Sequence, residues 1–259
     1  MDDPSLTVLA LLALAALTAG FVDSVVGGGG LIQLPALLLA LPGASPAQLL
    51  ATNKLGSVCG TSVSSLTYFR RVRPDPRAFV PLMIAAFAGS ALGALVASHI
   101  PRSAFDPVVL VALVVVGGVV LFRPQLGERT ALRFAPARHR TVAALLGAVI
   151  GFYDGALGPG TGSFLVIGLV GVLGYGFLEG SAQARLANWA TNLAAFLVFL
   201  PQGVVLWQTG LVLGAANLTG SYLGARTAVA RGSSFVRAFF VVVVVGFVVR
   251  IGGGLVGLW

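Results

Sequence analysis

The sequence predicts an all-α polytopic membrane protein made of two inverted-topology repeats, each with a Gly-broken re-entrant or hairpin segment plus about three full transmembrane helices. Three observations lead there: the scarcity of charge, the length of the apolar runs, and a match between the two halves of the chain at one fixed offset. Only 9% of the 259 residues are charged, against roughly 25% in an ordinary soluble domain, and 57% are hydrophobic. That composition excludes a soluble globular chain, a disordered chain and a coiled coil. A net charge of +8 would suggest nucleic acid in a soluble protein, but here the basic residues lie between apolar runs, where they encode membrane topology. No nucleic-acid partner is expected.

Taken in order, the apolar stretches of the first half cover residues 6–26, 31–41, 46–69, 79–100 and 105–122. Those of the second half cover 141–157, 163–173, 181–200, 204–230 and 235–259. The chain therefore divides into a first transmembrane repeat (1–122), a basic cytoplasmic linker (123–140) and a second transmembrane repeat (141–259). The N-terminal stretch holds Asp2 and Asp3 and no basic residue, so it reads as the first membrane helix rather than a cleaved signal peptide. Most stretches reach the roughly 20 residues that cross a hydrocarbon core. Segments 31–41 and 163–173 do not. Each follows a glycine-rich break, Gly27-Gly28-Gly29-Gly30 in one half and Gly158-Pro159-Gly160-Thr161-Gly162 in the other. As one helix, residues 5–41 would be roughly 55 Å long, too long for one crossing, so the chain breaks at the glycines. Non-helical backbone at membrane depth must face protein or a water-filled cavity.

An offset of 131 residues superposes Asp23 on Asp154, Lys54 on Arg185, and GSALGA at Gly89 on GSYLGA at Gly220. Motifs this far apart sharing one offset indicate an internal duplication. Loop charge then sets orientation. Twelve of the 16 basic residues lie in three loops: Arg70, Arg71, Arg73 and Arg77; Arg123, Arg129, Arg133, Arg138 and Arg140; and Arg226, Arg231 and Arg237. The positive-inside rule puts all three on the cytoplasmic face. The Arg-rich loop at Arg70 matches the uncharged stretch at Pro201, so equivalent loops carry opposite labels and the repeats are inverted.

A candidate site follows from the same features. The broken helices offer free N–H groups and positive dipole ends at Gly27, Gly28, Gly29 and Gly30 and at Gly158, Gly160, Thr161 and Gly162. Lys54 and Arg185 lie inside apolar spans, where an unpaired charge costs at least ~2.5 to 3.5 kcal/mol. Asn53, Ser57, Asn188 and Asn192 surround them with hydrogen-bonding groups. Backbone donors, two cations and amides suit a small oxyanion as substrate. Two plainer readings stand beside this one: the glycines serve close helix packing, and the cations only neutralise Asp23 and Asp154. An intermediate reading has the anion compete with the aspartates, or an aspartate take up a proton during transport. A double-mutant cycle between Asp23 and Lys54 is the test the sequence suggests for a purely structural pair.

Other residues carry less. Cys59, His99 and His139 build no disulfide framework, zinc site or haem site, so neither metal nor cofactor is implied. His99 and His139 read as interfacial or solvated, Glu179 as a solvated charge at the cytoplasmic mouth, and Cys59 and Trp189 as packing residues. Trp207 and Trp259 fit an interfacial aromatic belt. The tetraglycine lacks the Lys-Ser/Thr of a P-loop, and no nucleophile with a histidine base lies in the spans, so no enzyme activity is expected.

The stretches DSVVGGGGLIQLPALL and ATNKLGSVCGTSVSSLTYFRR, with GFYDGALGPGTGSF and ARLANWATNLAAFLVF, resemble the TauE/SafE family of bacterial membrane transporters, the sulfite exporter or toluene-sulfonate uptake permease group. The similarity covers nearly the whole chain and implies a secondary transporter of sulfite, sulfonates, sulfoacetate or related anions in the cell inner membrane. Protons or sodium as coupling ions and a homo-oligomer are compatible with it. Relatives of this branch often carry lysine where this chain has Arg185, and a planar bidentate guanidinium differs from a compact ammonium in anion preference. The alternatives are a non-transporting membrane scaffold or accessory subunit, and an anion channel.

Overall fold

The computed structural model describes residues 4–97 and 130–255. Helix α1 (Leu6–Val26) starts at Ser5, whose hydroxyl accepts a hydrogen bond from the Val8 N–H, and stops at Gly27, whose left-handed φ of 90° no residue with a Cβ adopts easily. The short α2 (Gly30–Ala40) follows at once. Ser45 and Gln48 form a capping box, with Pro46 in the first turn, so α3 (Pro46–Val72) begins where two independent start signals coincide. Helix α4 (Pro76–Ala97) completes the described part of the first half.

The second half repeats this order. Helix α5 (Pro136–Ala156) ends in a turn at Gly158, whose φ of 92° matches that of Gly27, 131 residues earlier. Helix α6 (Thr161–Ile167) continues as a π-helical turn (Gly168–Leu173). Then come α7 (Phe177–Phe199), a 3-10 turn (Leu200–Gln202) and α8 (Trp207–Leu255), which is interrupted at Gly232 (φ 73°, ψ −169°). That interruption falls between the two spans expected at 204–230 and 235–259. The span expected at 105–122 and His99 lie outside the described residues, and among the described residues there is no strand. Several helix boundaries fall a few residues from expectation, the start of α5 furthest. Helix α5 begins at Pro136, inside the stretch read as linker, because the proline at its first turn starts the helix before the apolar run does.

Helix α1 packs along α8 and α4 along α5, while α3 and α7 pack on each other and on these pairs. The close contacts recur with the halves exchanged. A methyl group on Gly220 would run into the Leu17 carbonyl, and one on Gly89 into the Ala148 carbonyl, the same contact displaced by the repeat. Gly224 and Gly93 face the carbonyls of Phe21 and Phe152 in the same reciprocal way, as Gly20 and Gly151 face those of Asn217 and Ala86. Small residues here let backbones approach, the means by which helices associate without a hydrophobic driving force.

The buried apolar side chains form two clusters. One joins Leu12 of α1, Leu34 and Leu37 of α2, Leu49 of α3 and Leu213 of α8 to Ala97, Ala156 and Phe199 at the ends of α4, α5 and α7. The other joins Val25 and Tyr68 near the ends of α1 and α3 to Leu82, Ala143 and Phe177 near the starts of α4, α5 and α7, and contains Leu165 and Val166 of α6. Outside, large apolar side chains such as Leu11, Leu92, Leu145 and Leu211 stand exposed. Helices Leu6–Val26 and Pro76–Ala97 are long and apolar enough to cross a membrane, each with a mean hydropathy of 2.1, and Gly30–Ala40 and Thr161–Leu173 are shorter apolar pieces.

Candidate functional site

The two glycine breaks meet between the clusters. The Ser163 N–H donates to the Gly27 carbonyl at 3.0 Å, and the Ser163 hydroxyl donates to the Val26 carbonyl at 3.2 Å. Gly27 and Gly162 lie backbone to backbone, and a Cβ on either would collide with the other. Both glycines are therefore required by contact, and Gly27 by its left-handed φ as well.

Beside this junction, four charged side chains pair across the halves. Lys54 Nζ lies 2.6 Å from Asp154 Oδ2, with the two side chains 1% and 2% exposed. Arg185 Nη1 lies 3.1 Å from Asp23 Oδ2, with exposures of 0% and 13%, and the same nitrogen also donates to the Asp23 carbonyl. Each cation thus takes the carboxylate of the other half, and the repeat offset converts one pair into the other. This corrects the cycle suggested by the sequence: Lys54 is coupled to Asp154, not to Asp23, because the halves pack face to face and bring opposite members together. Buried pairs of this kind are costly to break, since removing one partner strands the other in a low dielectric.

The pairs are not surrounded alike. Asp23 also accepts from the Gly29 N–H at 3.2 Å and from Asn188 Nδ2 at 3.4 Å. Lys54 also donates to Asn192 Oδ1 at 3.2 Å, and Asn192 in turn donates to the Asn188 carbonyl at 2.8 Å. Arg185 keeps Nε and Nη2 buried without a hydrogen-bond partner. Its Nη2 lies against Gly27 and Gly162, where an added Cβ would come within 2.7 Å of it. Of the two donors, Nη2 therefore faces the backbone junction.

A cavity of about 20 Å³ lies among these groups, room for roughly one water. Of the residues expected to bind substrate, Gly27, Gly29, Gly30, Asn53, Lys54 and Ser57 line it from the first half, and Gly158, Gly160, Thr161, Gly162, Asn188 and Asn192 from the second. Asp23 and Asp154 line it as well. Gly28 and Arg185 are not on its wall. Gly28 spends its carbonyl on the Leu31 N–H, and Arg185 is wholly buried beside the junction.

Sequence reasoning missed Asn217, which lines the cavity, and Gln33 behind it. Asn217 Nδ2 donates to Gln33 Oε1 at 2.6 Å, and Gln33 Nε2 donates to Asn53 Oδ1 at 3.0 Å. Gln33 is spent at both ends and so fixes the orientation of both asparagines. An amide alone in an apolar helix was the available signal. It escaped because the repeat match gives these positions the apolar counterparts Phe164 and Ala86.

At the Arg-rich end lies a larger cavity of about 690 Å³, lined by Arg73, Asp75, Arg77, His139, Arg140, Tyr175, Glu179 and Gln183 among others. His139, expected to be solvated or interfacial, is buried instead, with Nε2 2.7 Å from the Tyr175 hydroxyl. The early start of α5 turns this residue inward while Arg138 and Arg140 stay exposed. Burial pushes the imidazole below its ordinary range and the Tyr175 phenol above its own. Glu179 is exposed and accepts from the Thr130 hydroxyl. Cys59 packs beside Gly214, and Trp189 Nε1 donates to the Ser62 hydroxyl at 2.9 Å.

The profile of the family described as Sulfite exporter TauE/SafE matches residues 12–251. A "Probable membrane transporter protein ORF9" of Sinorhizobium sp is 36% identical over 97% of this chain and 95% of its own length. A "Probable membrane transporter protein" of Haemophilus influenzae is 35% identical over 93% of the chain and 92% of its own. The "Probable membrane transporter protein YfcA" of Escherichia coli K12 is 36% identical over 91% and 86%. No solved structure matches the chain. With broken helices and cross-paired charges along a match of this extent, the chain belongs to the TauE/SafE family of membrane transporters.

Proposed function

We propose that this protein carries small sulfur-containing anions, such as sulfite, sulfonates or sulfoacetate, across the bacterial inner membrane, binding them between the two glycine breaks with Lys54 and Arg185. The observation that carries the reading is the reciprocal pairing Lys54–Asp154 and Arg185–Asp23 around the junction. Neutral amides and glycine N–H groups would orient an anion there, and the cations would supply its counter-charge. At about 20 Å³ the cavity is too small for a sulfonate, so the anion enters by displacing carboxylates from the cations and parting the halves.

Alternating access follows from inverted repeats, residues 1–122 and 141–259, joined by a cytoplasmic linker at 123–140. The two apolar clusters support this arrangement. One gathers the starts of α1, α3 and α8 with the ends of α4, α5 and α7, and the other reverses the set, so each helix runs against its counterpart. Rocking one repeat against the other would expose the junction to each side in turn.

Uptake of labelled sulfite and sulfonates into proteoliposomes tests the reading. Lys54→Ala and Arg185→Ala should each reduce uptake at least about tenfold, as expected when a buried pair loses one member. Properly folded variants that transport normally would put the site elsewhere. A purely structural role for the pairs is favoured by one fact, that Lys54 and Arg185 each have a carboxylate. It predicts that Lys54→Met with Asp154→Asn restores the stability lost in either single variant while no variant, nor the parent, moves an anion.

A further inference from the structure

Accepting the anion reading above, we propose that the proton is the coupled ion, that Asp154 carries it, and that one proton crosses with each monovalent anion. Lys54, Asp23 and Asp154 line the cavity and Arg185 lies buried beside it, paired with Asp23, so the four formal charges cancel. The remaining walls are glycines and uncharged side chains. Adding an anion leaves one uncompensated negative charge at membrane depth, a state the low-dielectric surroundings disfavour. Neutralising one carboxylate removes that charge.

The two carboxylates are unequal candidates. Asp23 accepts from the guanidinium of Arg185, from the Gly29 N–H and from the Asn188 amide, and is the more exposed of the two. Three donors, one of them an always-charged arginine, already occupy its two oxygens. Asp154 accepts from one donor among the described residues, the Lys54 ammonium, and is almost fully enclosed. The repeat makes this comparison a controlled one, since the two residues occupy equivalent positions and differ in what has been built around them.

The charged and titratable groups near Asp154 are few. Lys54 faces it from α3, Arg185 lies across the junction on α7 and Asp23 on α1. Tyr153, its neighbour on α5, donates its hydroxyl to the Pro159 carbonyl. Helix α6 has no charged residue, and the charge on α4 is Arg77 in its first turn. A proton from water on one side binds Asp154 and breaks its ion pair with Lys54. The ammonium keeps Asn192 as a partner and turns its charge to the anion beside Gly158, whose position lies next to Nζ. On the other side the anion leaves, the proton passes from Asp154 to water, and the carboxylate takes back the ammonium. One positive and one negative charge have crossed, so the cycle is electroneutral.

The test uses the full chain in liposomes with labelled methanesulfonate or 2-hydroxyethanesulfonate, which stay monovalent across the neutral range. Counterflow exchange without any ion gradient checks the anion reading by itself, and its absence with both sulfonates would overturn that reading and the coupling with it. With counterflow present, an inward proton gradient should concentrate the label, and a potassium diffusion potential of either sign should change nothing. Apparent affinity should rise about tenfold for each pH unit of acidification, the slope for one linked proton. In Asp154→Asn protein the accumulation and the slope should both be lost, while the conservative Asp154→Glu, which keeps a carboxyl group, should restore both. Accumulation by the parent protein that follows voltage or a sodium gradient instead would sink the proposal without recourse to any variant. So would an Asp154→Asn protein that still concentrates the label when acid is outside.

Discussion

At the scale of single residues, local surroundings decide what equivalent side chains do. Asp23 and Asp154 are the same residue at the same place in two copies, yet one accepts from three side-chain or backbone donors and the other from one. His139 shows the same effect in the polar first turn of α5, ahead of the apolar stretch 141–157. Its burial against Tyr175 holds the imidazole neutral below the ordinary value of 6.5. The folded chain therefore binds fewer protons than the unfolded chain in the window just under 6.5. The stabilisation is complete above that value and is lost as pH falls through the window toward the lower folded value. Thermal unfolding in detergent should fall in temperature from about pH 7 to about pH 5, and the fall should be shallower in His139→Gln. An unchanged slope in that variant would remove the histidine from the acid response.

At the scale of elements, the recurring device is a glycine facing a carbonyl of the partner helix. Gly89 against Ala148 and Gly220 against Leu17 are one contact used twice. Gly89→Ala and Gly220→Ala should each destabilise the protein by about 1–3 kcal/mol through overpacking, and by similar amounts. Thermal melts of the two variants check this, and a silent substitution at one position beside a severe one at the other would contradict equivalent packing. The broken helices were legible for a local reason. Four glycines in one run and a Gly-Pro-Gly in the other cannot continue a helix, whatever lies around them. The early start of α5 was not legible from hydropathy, because its first turn is polar and belongs to the helix by virtue of Pro136.

At the scale of the whole molecule, the basic loops on one face are an expectation open to direct measurement. With Cys59 replaced, a single cysteine at Arg71 should react with an impermeant thiol reagent only from the cytoplasmic side, and one at Gln202 only from outside. Labelling of position 202 from the cytoplasm alone would contradict the inverted arrangement. The charge pattern gives this orientation because arginine-rich loops resist translocation, a property of each loop by itself.

The sequence alone determined which stretches are apolar, where they must break, which cations lie inside them and that the two halves match at an offset of 131 residues, as Asp23 to Asp154 and Lys54 to Arg185 show. Each of these is a local or a translational property, readable wherever backbone geometry or the cost of a buried charge acts on a short stretch of chain. Only the tertiary structure decided that Lys54 takes Asp154 and Arg185 takes Asp23, that Gln33 orients Asn53 and Asn217, and that His139 turns inward. Those are distances between residues far apart in the chain. Hydropathy, periodicity and composition are unchanged when the partners are exchanged, so the choice appears only when the two halves are packed together.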